Sequence, residues 1–229
     1  MPGVAIVWEL VKAGGWPMVP LVILGVVALA IILERLWSLR RNEVLPPSLG
    51  EEVRRWAAGG QYDPSHLAAL RANSPLGVLL AVTLEAQAKP ESARRERIED
   101  CGRHLVHRLE RYLPALSTIA SAAPLLGLLG TVIGMIQMFT GLTGAGAAET
   151  AQLAGGIGKA LVCTAAGMLV AIPALVAHRF FRARVASHVM AMEQEAAALV
   201  DVLSAVRPAP AAATRPRKGG AVPAPALQD

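Results

Sequence analysis

Two long runs without a charged side chain constrain this sequence more than any other feature. No Asp, Glu, Lys, Arg or His lies between Arg111 and Glu149, and a second run extends from Ala160 to Ala177. Each is long enough to cross a bilayer, which takes roughly 20 apolar residues in a helix. Their composition is unusual for lipid-facing helices. The centre of the first reads Ser121-Ala122-Ala123-Pro124-Leu125-Leu126-Gly127-Leu128-Leu129-Gly130-Thr131-Val132-Ile133-Gly134, and the second carries Thr164-Ala165-Ala166-Gly167. Small side chains let helix backbones approach closely in lipid, where van der Waals contact drives association. A Gly- and Ala-rich break separates the runs, so the expectation is a helical hairpin whose two members line something together.

The rest of the composition agrees. The chain is 54% hydrophobic and 17% charged, whereas a soluble domain carries nearer a quarter of charged residues. A net charge of +5 invites a nucleic-acid partner. The basic residues, however, concentrate in two segments that flank apolar spans, as topology determinants do, and no nucleic-acid partner is expected. Cys101 falls in a charged segment and Cys163 inside a span, so a disulfide between them is not expected. The first 15 residues lack a basic start, and Glu9 and Lys12 interrupt their apolar stretch, which argues against a signal peptide. No nucleophile–base constellation and no phosphate loop occurs, so neither an enzyme nor a cofactor is expected.

Taken in order, residues 1–15 form an N-terminal interfacial or periplasmic segment. Val4, Val7, Trp8 and Val11 are spaced for a short amphipathic helix, with a frayed terminus the equal alternative. Residues 16–33 form the first span, within the uncharged run from Ala13 to Leu33 and bracketed by Trp16 and Trp37 as an aromatic belt. Residues 34–111, with 13 Lys/Arg and 11 Asp/Glu, form a helical lobe too short and too charged for a large core of its own. Ile98, Leu105, Leu109, Tyr112 and Leu116 make one helical stripe, which predicts that the second span (112–141) continues a helix begun outside the membrane. A short loop (142–158) leads to the third span (159–178) and a further helix (179–206). Val185, Val189, Met192, Ala196, Leu199 and Leu203 have heptad spacing there, which predicts packing on another helix. Another subunit is slightly favoured as its source over this chain itself. An Ala/Pro-rich tail (207–229) with Arg215, Arg217 and Lys218 is expected to be disordered.

Basic residues stay on the cytoplasmic side. Residues 34–111 hold 13 Lys/Arg and the segment from Arg179 holds seven, against one each in the N-terminus and the hairpin. The expected fold is therefore an all-α integral membrane protein with three transmembrane helices. Its N-terminus is outside, its C-terminus inside, and helices 2 and 3 extend into the cytoplasm.

Positions seven apart nearly superpose on a helix. Ser117, Pro124, Thr131 and Met138 share a face of the second span, with Gly127 beside them. Ala160, Thr164, Ala171 and His178 share an arc of the third. A lone Thr in a membrane helix most often bonds its own backbone, and small residues most often serve packing. Two hydroxyls, one per helix and each in a small-residue face, instead suit a polar seam. Ionisable residues mark proton and ion paths in membranes, and no span carries one away from its ends. Either the chain conducts nothing, or another subunit supplies the charge.

At this point the residues resemble a known family. The stretch from Ala120 to Met135 is similar to the signature of the MotA/TolQ/ExbB proton-channel family, and Ala160 to Ala174 is similar to its third-span signature. Glu34-Arg35-Leu36-Trp37 resembles ExbB-type members, and three spans resemble ExbB and TolQ rather than MotA, which has four. The resemblance implies an inner-membrane stator that couples the proton motive force to transport or envelope maintenance. It implies a pentamer around a pore threaded by single-span ExbD- or TolR-like partners, whose membrane Asp carries the proton, with a TonB- or TolA-like transducer within the family's range. It assigns pore-facing positions to Thr131 and Thr164, with Ser117, Pro124, Gly127, Ala160 and Ala171 along the same faces. Lys159 and His178 stand at the pore mouths. Family members carry Glu where this sequence has Lys159. Two readings stand: Lys159 snorkels to the interface and is silent, or it marks a branch with different coupling. A non-conducting oligomeric scaffold and a flagellar-type stator are the competing readings.

Remaining candidates are weaker. Cys101, His104, His107 and Glu110 spread over about a third of a helix circumference, and a solvated face is favoured over a metal site. An imidazole titrates in the range a proton relay needs, but an interfacial anchor beside Arg179 is the favoured role of His178. The basic tail suits contact with lipid headgroups.

Overall fold

The computed structural model describes residues 15–60, 63–140 and 148–206, which are helical throughout apart from short turns. The helices are α1 (Met18–Ser38), α2 (Arg41–Val44), α3 (Leu49–Gly59), α4 (Pro64–Asn73), α5 (Pro75–Glu85), α6 (Glu91–Leu109), α7 (Leu113–Thr140) and α8 (Ala148–Val206). Three of them, α1, α7 and α8, are long and apolar enough to cross a membrane, so the chain is a multi-pass membrane protein. The expected interfacial segment up to residue 14, residues 142–147 of the expected loop and the C-terminal tail lie outside the described residues, whereas residues 148–158 of that loop form the start of α8.

The breaks between the short helices have local causes. Leu45 precedes the Pro46-Pro47 pair and leaves the helical region, at φ −131° and ψ 75°, because the residue before a proline is crowded out of it. Gly60, at φ 63°, closes α3 in the left-handed conformation that glycine adopts without cost. Asp63 and Ser74 cap the next two helices. Pro64 and Pro75 occupy their first turns, where a missing N–H removes nothing. The Ser74 hydroxyl accepts from the Gly77 amide at 3.1 Å.

The lobe's core is shared, not independent. Leu76, Leu79, Leu80 and Leu84 of α5 are buried with Val53 of α3, Leu105 and Leu109 of α6, and Phe181, Val185, Met192, Ala196, Leu199 and Leu203 of α8. The heptad-spaced stripe of α8, for which another subunit was the favoured partner, is thus covered by this chain's own lobe. A solvent-filled gap would otherwise separate α8 from α3 and α5, and burying those side chains contributes about 1.5–3 kcal/mol each. Arg54 of α3 also pairs with Glu195 of α8, and His188 bonds through Nε2 to the Leu39 carbonyl at 3.2 Å.

The stripe from Ile98 to Leu116 is carried by two helices rather than one. α6 stops at Leu109, Tyr112 takes φ 70°, and α7 starts at Leu113. Pro114 falls in the first turn of α7, where proline starts a helix rather than kinking one. Both α7 and α8 nevertheless exceed a bilayer's thickness, at about 42 and 88 Å for 28 and 59 residues.

Candidate functional site

The hairpin α7–α8 is built on backbone contact. A Cβ added to Gly127 would lie 2.9 Å from the Cys163 carbonyl oxygen, and one on Gly167 would lie 2.6 Å from that of Ala123. At Gly130 the nearest atom would be the Cys163 Cβ, at 2.7 Å, and at Gly134 the Ala160 Cβ, at 3.4 Å. Ala123, Gly127, Gly130 and Gly134 therefore form one continuous seam against Ala160, Cys163 and Gly167. Met18 and Leu21 of α1 are buried on the same cluster with Ala123, Cys163 and Ala171, so the first span covers one side of the hairpin. The opposite face of α1 is open: Val19, Ile23, Val26, Leu29 and Leu33 are exposed, as a lipid-facing helix requires.

Of the sequence-derived candidates, Gly127, Ala160 and Ala171 are buried inside this seam. Ser117, Pro124, Thr131 and Thr164 lie at its margin and are half-buried. Pro124 and Pro173, inside α7 and α8, leave the Ala120 and Leu169 carbonyls without the amide each would normally accept.

The two hydroxyls are placed differently. Thr131 donates to the Leu128 carbonyl of its own helix at 2.7 Å. Thr164 reaches across to the Gly127 carbonyl at 3.4 Å. In a helix that carbonyl also takes the amide of Thr131, four residues on, so the two threonines converge within one turn of α7. Each hydroxyl donates its proton to a backbone carbonyl and keeps its oxygen lone pairs as acceptors, which suits both to bond water or a partner's polar group. Along α8, Lys159 is exposed and His178 half-buried. They stand about 28 Å apart, close to the ~30 Å of a bilayer's hydrocarbon, with the apolar Thr164 face between them.

Two buried polar residues escaped the sequence reading. Arg35, 4% exposed, donates to the Leu109 carbonyl at 3.1 Å and pairs with the adjacent Glu34. His188 is 5% exposed. The advance signals for Arg35 were its place immediately after an uncharged span and in the Glu34-Arg35-Leu36-Trp37 stretch, neither of which gave it a partner. Among the described residues no group of three His, Cys, Asp or Glu is placed to hold a metal. His104 lies 3.8 Å from Asp100 on an exposed face.

Comparison with known proteins agrees with this architecture. The model of the MotA/TolQ/ExbB proton channel family matches residues 71–194, rather more than half of the chain. An ExbB-like biopolymer transport protein of Synechocystis sp. is 35% identical over 169 residues, covering 72% of this chain and 66% of that protein. The biopolymer transport protein ExbB of Neisseria gonorrhoeae is 39% identical over 76 residues, covering 33% of this chain and 34% of its own length. The chain thus spans just under two thirds of the first relative and about a third of the second.

Proposed function

The chain belongs to the MotA/TolQ/ExbB proton channel family, a family of transport proteins rather than enzymes, and from that premise we propose that it is the stator subunit of an ExbB–ExbD- or TolQ–TolR-like motor. In this reading the protein sits in a bacterial inner membrane with its N-terminus and hairpin loop periplasmic. The lobe and the end of α8 are cytoplasmic, in line with the 13 and seven basic residues of those segments. Copies assemble around a central pore, as a pentamer in the family's pattern. A single-span partner enters that pore with one membrane Asp, which takes up and releases the proton.

One observation carries the proposal. No span holds an ionisable side chain away from its ends, yet two mid-span hydroxyls, those of Thr131 and Thr164, bond to the adjacent carbonyls of Leu128 and Gly127 in α7. A proton carrier must therefore come from outside the chain, and the threonine pair is the place to solvate it. Since Gly127, Ala160 and Ala171 are occupied in closing the hairpin, the pore-side role falls to Thr131 and Thr164, flanked by Ser117 and Pro124. Lys159 and His178 mark its two mouths.

The test is proton flux into liposomes containing the chain together with its single-span partner. Thr131→Val or Thr164→Val is expected to lower flux roughly tenfold, the worth of one hydrogen bond of about 1–1.5 kcal/mol, with the oligomer intact. Undiminished flux in both variants would overturn the threonine assignment. No flux from the unmodified pair would leave a non-conducting scaffold, the reading that the buried glycine seam would then favour.

A further inference from the structure

A polar pocket of about 390 Å³ opens where the first span meets the lobe, between the end of α1, α2, the α4–α5 junction and the end of α6. Four arginines line it, Arg35, Arg71, Arg108 and Arg111, against two carboxylates, Glu34 and Glu43. Their commitments differ. Arg35 is held by Glu34 and the Leu109 carbonyl, and Arg71 by Glu85. Among the described residues Arg108 makes no ion pair or hydrogen bond. Arg111 lies with its guanidinium 4.9 Å from the centre of the Tyr112 ring. Stacking engages the face of a guanidinium and leaves the N–H donors on its edge free. The pocket therefore has more guanidinium groups than carboxylates in its lining, and the donors of Arg108 and Arg111 are available.

Its depth is set by the membrane. Trp37, on the pocket's rim, is 68% exposed at the polar end of α1, the level at which tryptophan sits in bilayers. Ile23, Val27 and Ala30 precede Glu34 on the same face of α1, at spacings of four, three and four, and all three are exposed. An exposed apolar track thus leads along a membrane helix directly to a basic pocket.

We propose that this pocket binds the phosphodiester headgroup of an anionic phospholipid, with Arg108 and Arg111 as its phosphate ligands and the Ile23–Val27–Ala30 face of α1 as the acyl track. Arginine matches phosphate oxygens with two parallel N–H donors, and basic pockets at helix ends recognise lipid headgroups. A soluble phosphate shares the headgroup chemistry but makes no use of the track. The proposal does not depend on proton conduction.

The experiment is native mass spectrometry of the full chain, delipidated in a neutral detergent. It is titrated with phosphatidylglycerol, with phosphatidylcholine and with inorganic phosphate. Phosphatidylglycerol is expected to bind more tightly than phosphatidylcholine, and the preference should shrink as salt is raised. Arg108→Gln with Arg111→Gln should lower phosphatidylglycerol affinity by about an order of magnitude. Arg94→Gln with Arg103→Gln, an equal charge change on α6 outside the pocket, should leave it unaltered. Equal binding of the two lipids, or an equal loss in both double variants, overturns the site. Displacement of the lipid by inorganic phosphate overturns the lipid assignment. Should the first double variant fail to fold, the lipid preference of the unmodified chain and its salt dependence decide the matter alone.

Discussion

The guanidinium of Arg35 donates to the carbonyl oxygen of Leu109, 74 residues away, at 3.1 Å. Leu109 ends α6, and the last carbonyls of a helix have no amide of their own to accept. The first span therefore caps the lobe's longest helix at the point where the chain turns into the second span. The same guanidinium lies 5.2 Å from the centre of the Tyr112 ring, against the residue whose positive φ makes that turn. Arg35→Gln should leave the Leu109 carbonyl poorly satisfied and Glu34 without its cation, at a cost of about 1–3 kcal/mol. A lowered unfolding midpoint in detergent is the expected result, with Glu34→Gln, at a half-exposed side chain, costing less.

The glycine contacts give a second expectation with an internal control. At Gly167 a Cβ would press on the Ala123 carbonyl at 2.6 Å and on the Gly127 Cα at 3.1 Å, both backbone atoms that move only if the helices separate. Gly102, inside α6, has nothing within 4 Å of the same position. Gly167→Ala should thus destabilise by about 1–3 kcal/mol, while Gly102→Ala should stabilise by roughly 0.5–1 kcal/mol through helix propensity. Thermal unfolding of the two variants side by side checks both signs.

How much of this was legible in the sequence depended on whether the signal was local. The three spans were, because an uncharged run of such length has few alternatives to a membrane helix. The glycine seam was legible in part: the small residues of the two runs announced close packing, but which glycine meets which backbone needed the register of the hairpin. Periodicity misled between Ile98 and Leu116, since a stripe continues in phase across a turn that a left-handed Tyr112 makes. The proline at 114 was the better guide. The heptad spacing of α8 correctly indicated a packed face, yet spacing contains nothing about whose helix covers it. The hydroxyl of Thr164 was noticed, but its partner is a carbonyl 37 residues away, which no local pattern reveals.

Cys101 offers a pH-dependent test outside the membrane. Burial pushes its thiol above the ordinary range, Asp100 acts in the same direction, and Arg71 and Arg97 oppose. The thiolate is the nucleophile, so alkylation by iodoacetamide in a Cys163→Ala background should be slower than that of free cysteine near neutrality. It should accelerate only as pH rises beyond the usual thiol range. Arg71→Gln removes a cation that favours the thiolate, so it should slow the reaction further at any fixed pH. A faster reaction in that variant would contradict the arrangement around Cys101.

The threonine pair yields the sharpest prediction, because its two members can be separated from folding and from each other. The hydroxyl of Thr131 bonds within its own helix and that of Thr164 makes a long bond of 3.4 Å. Replacing either by Val should therefore cost no more than about 1 kcal/mol, and unfolding midpoints should stay close to the unmodified chain. Thr164→Ser, which keeps the hydroxyl, should recover most of the proton flux that Thr164→Val loses. Since both side chains act within one turn of α7, they should serve the same solvation step, and residues in one network are not additive. The double valine variant should then conduct about as poorly as the worse single variant. Flux that falls by the product of the two single effects would instead mean that Thr131 and Thr164 act at independent points along the path.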